Sequence, residues 1–211
     1  MDLYYSPLAC SMASRIALYE AGAAANFIEV DPKSKLTRDG TDYLTINPLG
    51  LVPALESDDG VVLLENAAIL QFIADQYPAA ALAPRDGMPR ARLQQWLSFI
   101  GTELHKALFV PLFDKHLADV TKTKILETGR KRLTYLDQYL RGRDFLLDKF
   151  SVADAYLFTV LNWHIATPVD VKSWSSVSDY YNRLKIRPAI ARALKEEFAL
   201  YAEEQKRHKV A

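Results

Sequence analysis

The chain predicts an α/β domain followed by an all-helical one, and three observations carry that expectation. Up to about residue 77, short extended runs alternate with helical ones. Residues 78–89, PAAALAPRDGMP, then interrupt the pattern with Pro78, Pro84, Gly87 and Pro89. Beyond Pro89 no convincing strand follows, and long segments instead repeat their apolar residues at helical spacing.

The extended runs are 3–5, 27–30, 52–56 and 61–64. The first two flank an apolar-periodic stretch, 12–21, so they are expected to be parallel neighbours joined by a helix. The last two flank SDDG, a hairpin signal that makes them antiparallel. A further helix begins near Glu65. The resulting order, βαβ-α-ββα, suggests a thioredoxin-like N-terminal domain over 1–78, with a linker at 79–88 and an all-α C-terminal helical domain over 89–211. In that second domain Leu93, Leu97, Ile100, Leu104 and Leu108 form one stripe, with Pro89 suited to the first turn. Ser98, Thr102, His105 and Phe109 form a partly polar stripe expected on the side away from it. A second helix is expected at 122–140. A third starts where Ser151 and Asp154 have capping-box spacing ahead of a nearly all-apolar run that must be buried. Helices at 174–185 and 188–200 precede a charged tail, EEQKRHKV, expected to be solvated or frayed.

Bulk composition narrows the function. Lys plus Arg and Asp plus Glu each number 26, so no global basic field exists to draw nucleic acid or anionic lipid, and neither is expected as a partner. No apolar run approaches the ~20 residues of a membrane span, and MDLYYSP lacks a signal-peptide pattern, so the cytoplasm is the expected location. One cysteine cannot form an internal disulfide, and four scattered histidines show no metal-ligand spacing; no metal is expected. From the residues alone, Cys10 at the start of a helix is either a thiol favoured as thiolate or a buried filler. Glu65 and Asn66, at the start of another helix, are either an anion site or a plain cap, and a lone helical His105 is as readily structural as functional. His116, His164 and His208 are read as structural.

Five segments in order, LYYSPLACS, NPLGLVPAL, LLENAAILQFI, WLSFIGTELHKALFVPLF and FSVADAYLF, together resemble the glutathione transferases, specifically the bacterial beta class. The resemblance spans nearly the whole chain. It implies an enzyme that conjugates the thiolate of reduced glutathione to hydrophobic electrophiles, with glutathione as co-substrate, no tightly bound cofactor, and a homodimer. It also implies that Val52-Pro53 is a cis bond, turning the Val52 main chain outward to pair with glutathione as a short extra strand. Glu65 would take the ammonium of the γ-glutamyl end and donors around Asn66 its carboxylate. Most relatives carry Ser or Thr where this chain has Asn66, and Asn retains a donor and an acceptor. Lys35 resembles the lysine that meets the glycyl carboxylate. Cys10 would lie beside the glutathione sulfur, with Ser11 offering a nearby donor and Tyr5 an aromatic of the same pocket. His105 becomes the candidate to hydrogen-bond the thiolate or relay its proton, and Lys106 adds positive potential. Ser98 replaces the usual asparagine, Thr102 lies on the same stripe, and Glu103 matches a residue reaching the neighbouring subunit's glutathione. Phe109, Leu112, Phe113 and Trp163 are expected to line an apolar electrophile pocket. Two other readings remain: a glutathione-dependent thiol-disulfide or peroxide reductase using Cys10 as nucleophile, and a non-catalytic binding platform of the same fold, as in the stringent starvation proteins.

Overall fold

A computed structural model describes residues 1–210. The chain divides into two compact units, one comprising Met1–Leu82 together with the chain from Pro188 onward, the other Ala83–Arg187.

The first unit is built on a four-stranded mixed sheet of order β2-β1-β3-β4, with β1 at Asp2–Tyr5, β2 at Asn26–Glu29, β3 at Ala54–Glu56 and β4 at Val62–Leu64. β1 pairs parallel with β2 through Leu3 opposite Phe27, because helix α1 (Met12–Glu20) carries the chain back to the same edge. The Ser57–Gly60 turn reverses the chain, and β3 and β4 pair antiparallel with Leu55 opposite Leu63. Helix α2 (Asn66–Gln76) follows. Leu3 and Leu55 from the sheet, Met12 and Ile16 from α1, and Ile69, Leu70 and Ile73 from α2 are fully or almost fully buried. Each such side chain contributes about 1.5–3 kcal/mol relative to exposure. Between β2 and β3 the helical element is a single 3-10 turn, Tyr43–Thr45, whose Leu44 amide donates to the Asp42 carboxylate. Gly40, Pro48 and Gly50 punctuate that connection too closely for a longer helix.

The chain's last helix departs from expectation twice. Helix α8 (Pro188–Val210) runs through the charged tail, and it belongs with the first unit rather than with the helices that precede it in sequence. Long-range charge pairing explains both. Arg15 Nε of α1 lies 2.9 Å from Glu197 Oε1 of α8, and its Nη1 lies 3.3 Å from Glu196. At the far end Arg207 pairs with Glu29, and His208 Nε2 lies 2.6 Å from Asp31 Oδ2. Charges that look solvated along the sequence thus have opposite partners on β2 and the residues just after it.

The second unit holds α3 (Gly87–Phe99), a π-helical segment Ile100–Phe109, one further α-turn α4 (Val110–Leu112), α5 (Asp119–Leu140), α6 (Val152–Asn162) and α7 (Ser175–Lys185). The π segment corrects the expected stripes. Its hydrogen bonds span five residues, as from Val110 N–H to the His105 carbonyl, so residues four and five apart share a face. Ile100, Leu104, His105, Leu108 and Phe109 are all buried in consequence. His105 and Phe109, expected opposite the leucines, lie among them, whereas Ser98, Thr102 and Lys106 are exposed.

Gly129 in the middle of α5 marks the closest approach to this segment: a Cβ there would lie 2.3 Å from Leu108 Cδ1 and 2.9 Å from Cδ2. Leu108 is itself buried, so it has no free space to swing into. Gly129→Ala therefore sets a helix-propensity gain of about 1 kcal/mol against overpacking of about 1–3 kcal/mol. The expected outcome is a lower thermal midpoint, opposite to the sign for a glycine in an exposed helix; a higher midpoint would show that the two helices can separate freely.

Candidate active site

In the first unit, the residues singled out from the sequence converge on the segment that precedes β3. The Val52–Pro53 peptide bond is cis and Pro53 is buried. Cys10, in the turn that opens α1, donates its thiol hydrogen to the Val52 carbonyl at 3.2 Å. The Cys10 carbonyl accepts from Asn66 Nδ2 at 3.0 Å, while Ser14 Oγ donates to Asn66 Oδ1 at 2.8 Å. Asn66 is 5 % exposed and its amide bridges the starts of α1 and α2. It is therefore a clamp, and its side chain is not presented to a ligand as expected; only the backbone at the start of α2 offers donors. Glu65 precedes that helix in a left-handed conformation, φ +68°, uncommon for a residue with a Cβ, and its side chain is exposed. Lys35, also at positive φ, places Nζ 3.0 Å from the Gly50 carbonyl, two residues before Val52.

Two expected contributors sit elsewhere. Ser11 is fully buried and its hydroxyl is exchanged with Ser6, donating to Ser6 O at 3.2 Å and accepting from Ser6 N at 3.3 Å. Tyr5 is 4 % exposed, with the Arg15 guanidinium 4.2 Å from its ring centre and Phe27 edge-on at 6.4 Å. Both side chains support the turn from behind. Spacing could not reveal this, since Arg15 and Ser6 compete for them only once the strand and helix pack.

In the second unit, His105 forms a cluster with aromatic rings. Its centroid lies 4.9 Å from Trp163, and Trp163 meets Phe113 at 5.5 Å and Phe109 at 6.2 Å, all near edge-on. Phe113 is exposed while Phe109 is fully buried, so of the residues expected to face an electrophile, Phe109 instead backs the cluster. Leu112 is 9 % exposed. His105 Nδ1 lies 2.7 Å from the Tyr156 hydroxyl. Burial, aided by Lys106, pulls the imidazole pKa down to about 4, so the ring is neutral near pH 7 and brings no positive charge to a thiolate. Tyr156 was not among the residues singled out. Its signal was present, since a tyrosine inside an all-apolar run needs a partner for its hydroxyl. Glu103 pairs with Arg132 Nε at 2.8 Å within its own chain, and Thr102 donates to the Ser98 carbonyl at 2.9 Å.

A mixed sheet whose cis-proline segment receives the thiol of a helix-opening cysteine, joined in one chain to a second, helical unit, defines a thioredoxin-like fold with a separate helical domain. Residues 1–75 match the family model for the glutathione S-transferase N-terminal domain, and residues 103–188 that for the C-terminal domain. The chain is 38 % identical over 199 residues to glutathione S-transferase GstA of Escherichia coli O157:H7, covering 93 % of this chain and 98 % of that one. Among solved structures, a sphingomonad glutathione S-transferase complexed with glutathione superposes with a TM-score of 0.89 at 45 % identity, covering 93 % of this chain and 98 % of that one. The beta-class glutathione S-transferase of Sphingomonas chungbukensis gives 0.88 and 45 %, with the same coverage. The chain belongs to the glutathione S-transferase family, and its solved relatives include the bacterial beta class. No helix among the described residues is long and apolar enough to cross a membrane.

Proposed function

We propose that this chain conjugates reduced glutathione to hydrophobic electrophiles as a cytoplasmic homodimer, with Cys10, Val52, Lys35, Glu65 and the backbone at Asn66 forming the glutathione site. The observation that carries the reading is the Cys10–Val52 contact. The Val52 carbonyl precedes a cis proline and accepts the Cys10 thiol hydrogen. Glutathione laid along this segment would present its cysteinyl N–H to the same carbonyl, a stronger donor than S–H. The exchange frees the Cys10 thiol to donate toward the incoming sulfur. Lys35 and Glu65 then answer the charges at the two ends of the tripeptide: the ammonium of Lys35 a carboxylate, the carboxylate of Glu65 an ammonium.

The glutathione thiol loses its proton to solvent. Its thiolate forms the new C–S bond while the leaving group departs with its electron pair, so the protein's task is to hold the thiolate immobile and stabilised. His105 takes part as a neutral group: with the Tyr156 hydroxyl donating to Nδ1, the proton stays on Nε2 as a directed donor. Trp163 and Phe113 supply the aromatic surface of the electrophile site. The cytoplasm suits Cys10, the single cysteine, which a reducing compartment keeps as a thiol.

Retention on immobilised glutathione, followed by turnover of a chromogenic aryl halide, tests the reading. Cys10→Ala separates it from a reductase: conjugation is expected to persist within about tenfold, whereas a monothiol disulfide reduction would be lost outright. Turnover confined to disulfides or peroxides would overturn the proposal, and elution at the single-chain mass of 23.8 kDa would remove the homodimer.

A further inference from the structure

The turn that carries Lys35 is held from outside by the far end of α8. Residues 31–36 close on themselves through two main-chain bonds, Lys35 N–H to the Asp31 carbonyl at 3.0 Å and Asp31 N–H to the Leu36 carbonyl at 2.9 Å. The Asp31 carboxylate fills the turn, with Oδ1 accepting the Lys33 N–H at 2.8 Å and the Ser34 N–H at 2.9 Å. Its other oxygen lies 2.6 Å from His208 Nε2, 177 residues further along the chain. Burial alone would raise the Asp31 carboxyl, but the Ser34 amide, His208 and the Lys33 amide draw it down to about 2. Asp31 is therefore ionised near pH 7, and the proton of this contact sits on His208 Nε2. Beside it Arg207 pairs with Glu29 of β2, and Arg38 Nη1 lies 3.8 Å from the same carboxylate. Pro32, Lys33 and Ser34 are exposed, so burial does little to fix the turn.

Lys35 sits at φ +60°, a left-handed conformation that a residue with a Cβ holds only where its surroundings impose it. Its stem crosses Gly50, where a Cβ would lie 3.3 Å from both Lys35 Cδ and Cε, and its Nζ reaches the Gly50 carbonyl at 3.0 Å. The path of the side chain is thus set by the turn at its root and by a bare glycine near its tip. We propose that Asp31 and His208 are positioning residues for Lys35: the end of α8 fixes the turn that sends the ammonium across Gly50 toward Val52, and so sets the affinity for the glycyl carboxylate of glutathione. The inference rests on the reading of Lys35 as the partner of that carboxylate, and it gives a tail that looks solvated along the sequence a share in substrate binding.

Steady-state kinetics with glutathione and with its glycyl monoethyl ester, which lacks the carboxylate, test this on the full chain. In the wild type KM for the ester is expected to be about tenfold above that for glutathione. His208→Ala should raise KM for glutathione about fivefold, leave kcat within about twofold and leave KM for the ester unchanged, whereas general loosening would raise both. His208→Gln keeps a donor at a similar reach and should stay within about twofold of wild type. Lys35→Met should reproduce the selective loss, and adding His208→Ala to it should cost nothing more, because the two changes act on one contact. Equal losses for the two substrates in His208→Ala, or an unchanged KM for glutathione, overturn the proposal. Amide exchange supplies a readout that needs no turnover: in the wild type the Ser34 amide is expected to exchange at least about tenfold more slowly than an open amide, and to quicken in His208→Ala. A Ser34 amide at the open rate in the wild type overturns the proposal even if His208→Ala does not fold. A protected Ser34 in a wild type that conjugates nothing would sink the functional reading alone, and an unprotected Ser34 in an active wild type would sink the tether alone.

Discussion

Asp154→Ala is expected to destabilise the protein by about 3–5 kcal/mol, enough to remove much of the marginal stability of a domain. The Asp154 carboxylate is fully buried and accepts four hydrogen bonds of 2.8 Å: from Leu146 N–H and the Tyr180 hydroxyl on Oδ1, and from the Ser151 N–H and hydroxyl on Oδ2. Burial raises its pKa even against these four donors. Alanine would leave all four donors without an acceptor in a dry environment, at about 1–3 kcal/mol for each that water cannot reach. Asparagine would also fail, because its NH2 would face the Ser151 N–H and hydroxyl as a third donor. Denaturant unfolding measures the loss, and a double-mutant cycle with Tyr180→Phe should return a coupling of about 1–2 kcal/mol. A loss below about 1 kcal/mol for Asp154→Ala would mean that water replaces the carboxylate. The position matters beyond its own bonds, since it fixes the start of α6, every residue of which is buried and which carries Tyr156 to His105.

His105 is expected to make a destabilising contribution as pH falls from 6.5 to about 4. The native ring resists protonation until about pH 4, whereas in the unfolded chain it titrates near its ordinary 6.5. In that window the unfolded state binds the proton and the native state does not, so stability falls as pH drops and the contribution is fully present above 6.5. The difference between 6.5 and about 4 corresponds to about 3 kcal/mol at most. Thermal midpoints of wild type and His105→Gln, compared from pH 7.5 down to 4, should converge as pH falls, because glutamine has nothing to protonate and keeps an acceptor for Tyr156. Parallel curves would place the acid sensitivity elsewhere. Under the proposed function, with His105 acting as a neutral group, kcat/KM for glutathione should show no rising limb centred near 6.5 from loss of an imidazolium, and its pH dependence should instead follow thiolate formation.

The β1–β2 and β3–β4 pairings, the hairpin at Ser57–Gly60, the capping pair Ser151 and Asp154, and the burial of α6 were legible because each is a local pattern: period two, turn chemistry, cap spacing, an unbroken apolar run. The candidate site residues were assembled as a set through resemblance, not through spacing. What their side chains touch was not. Ser11 and Asn66 were chosen as ligand donors because they carry polar atoms at helix starts, and the same atoms are consumed by Ser6, Ser14 and Cys10 once the two helix starts meet. His105 and Phe109 were assigned to an open face by a 3.6-residue period, which does not apply where the hydrogen bonds reach five residues back.

Local periodic rules therefore determined most of this protein's elements and their order along the chain, because those depend on residues within a turn or two of one another, while its family was read from the resemblance of five segments spread along the sequence. Packing alone decided that α8 joins the sheet, that Glu197 reaches Leu8, and that the imidazole of His105 is neutral. Desolvation and long-range charge pairing act between groups up to 189 residues apart, and no pattern along the chain encodes their distance.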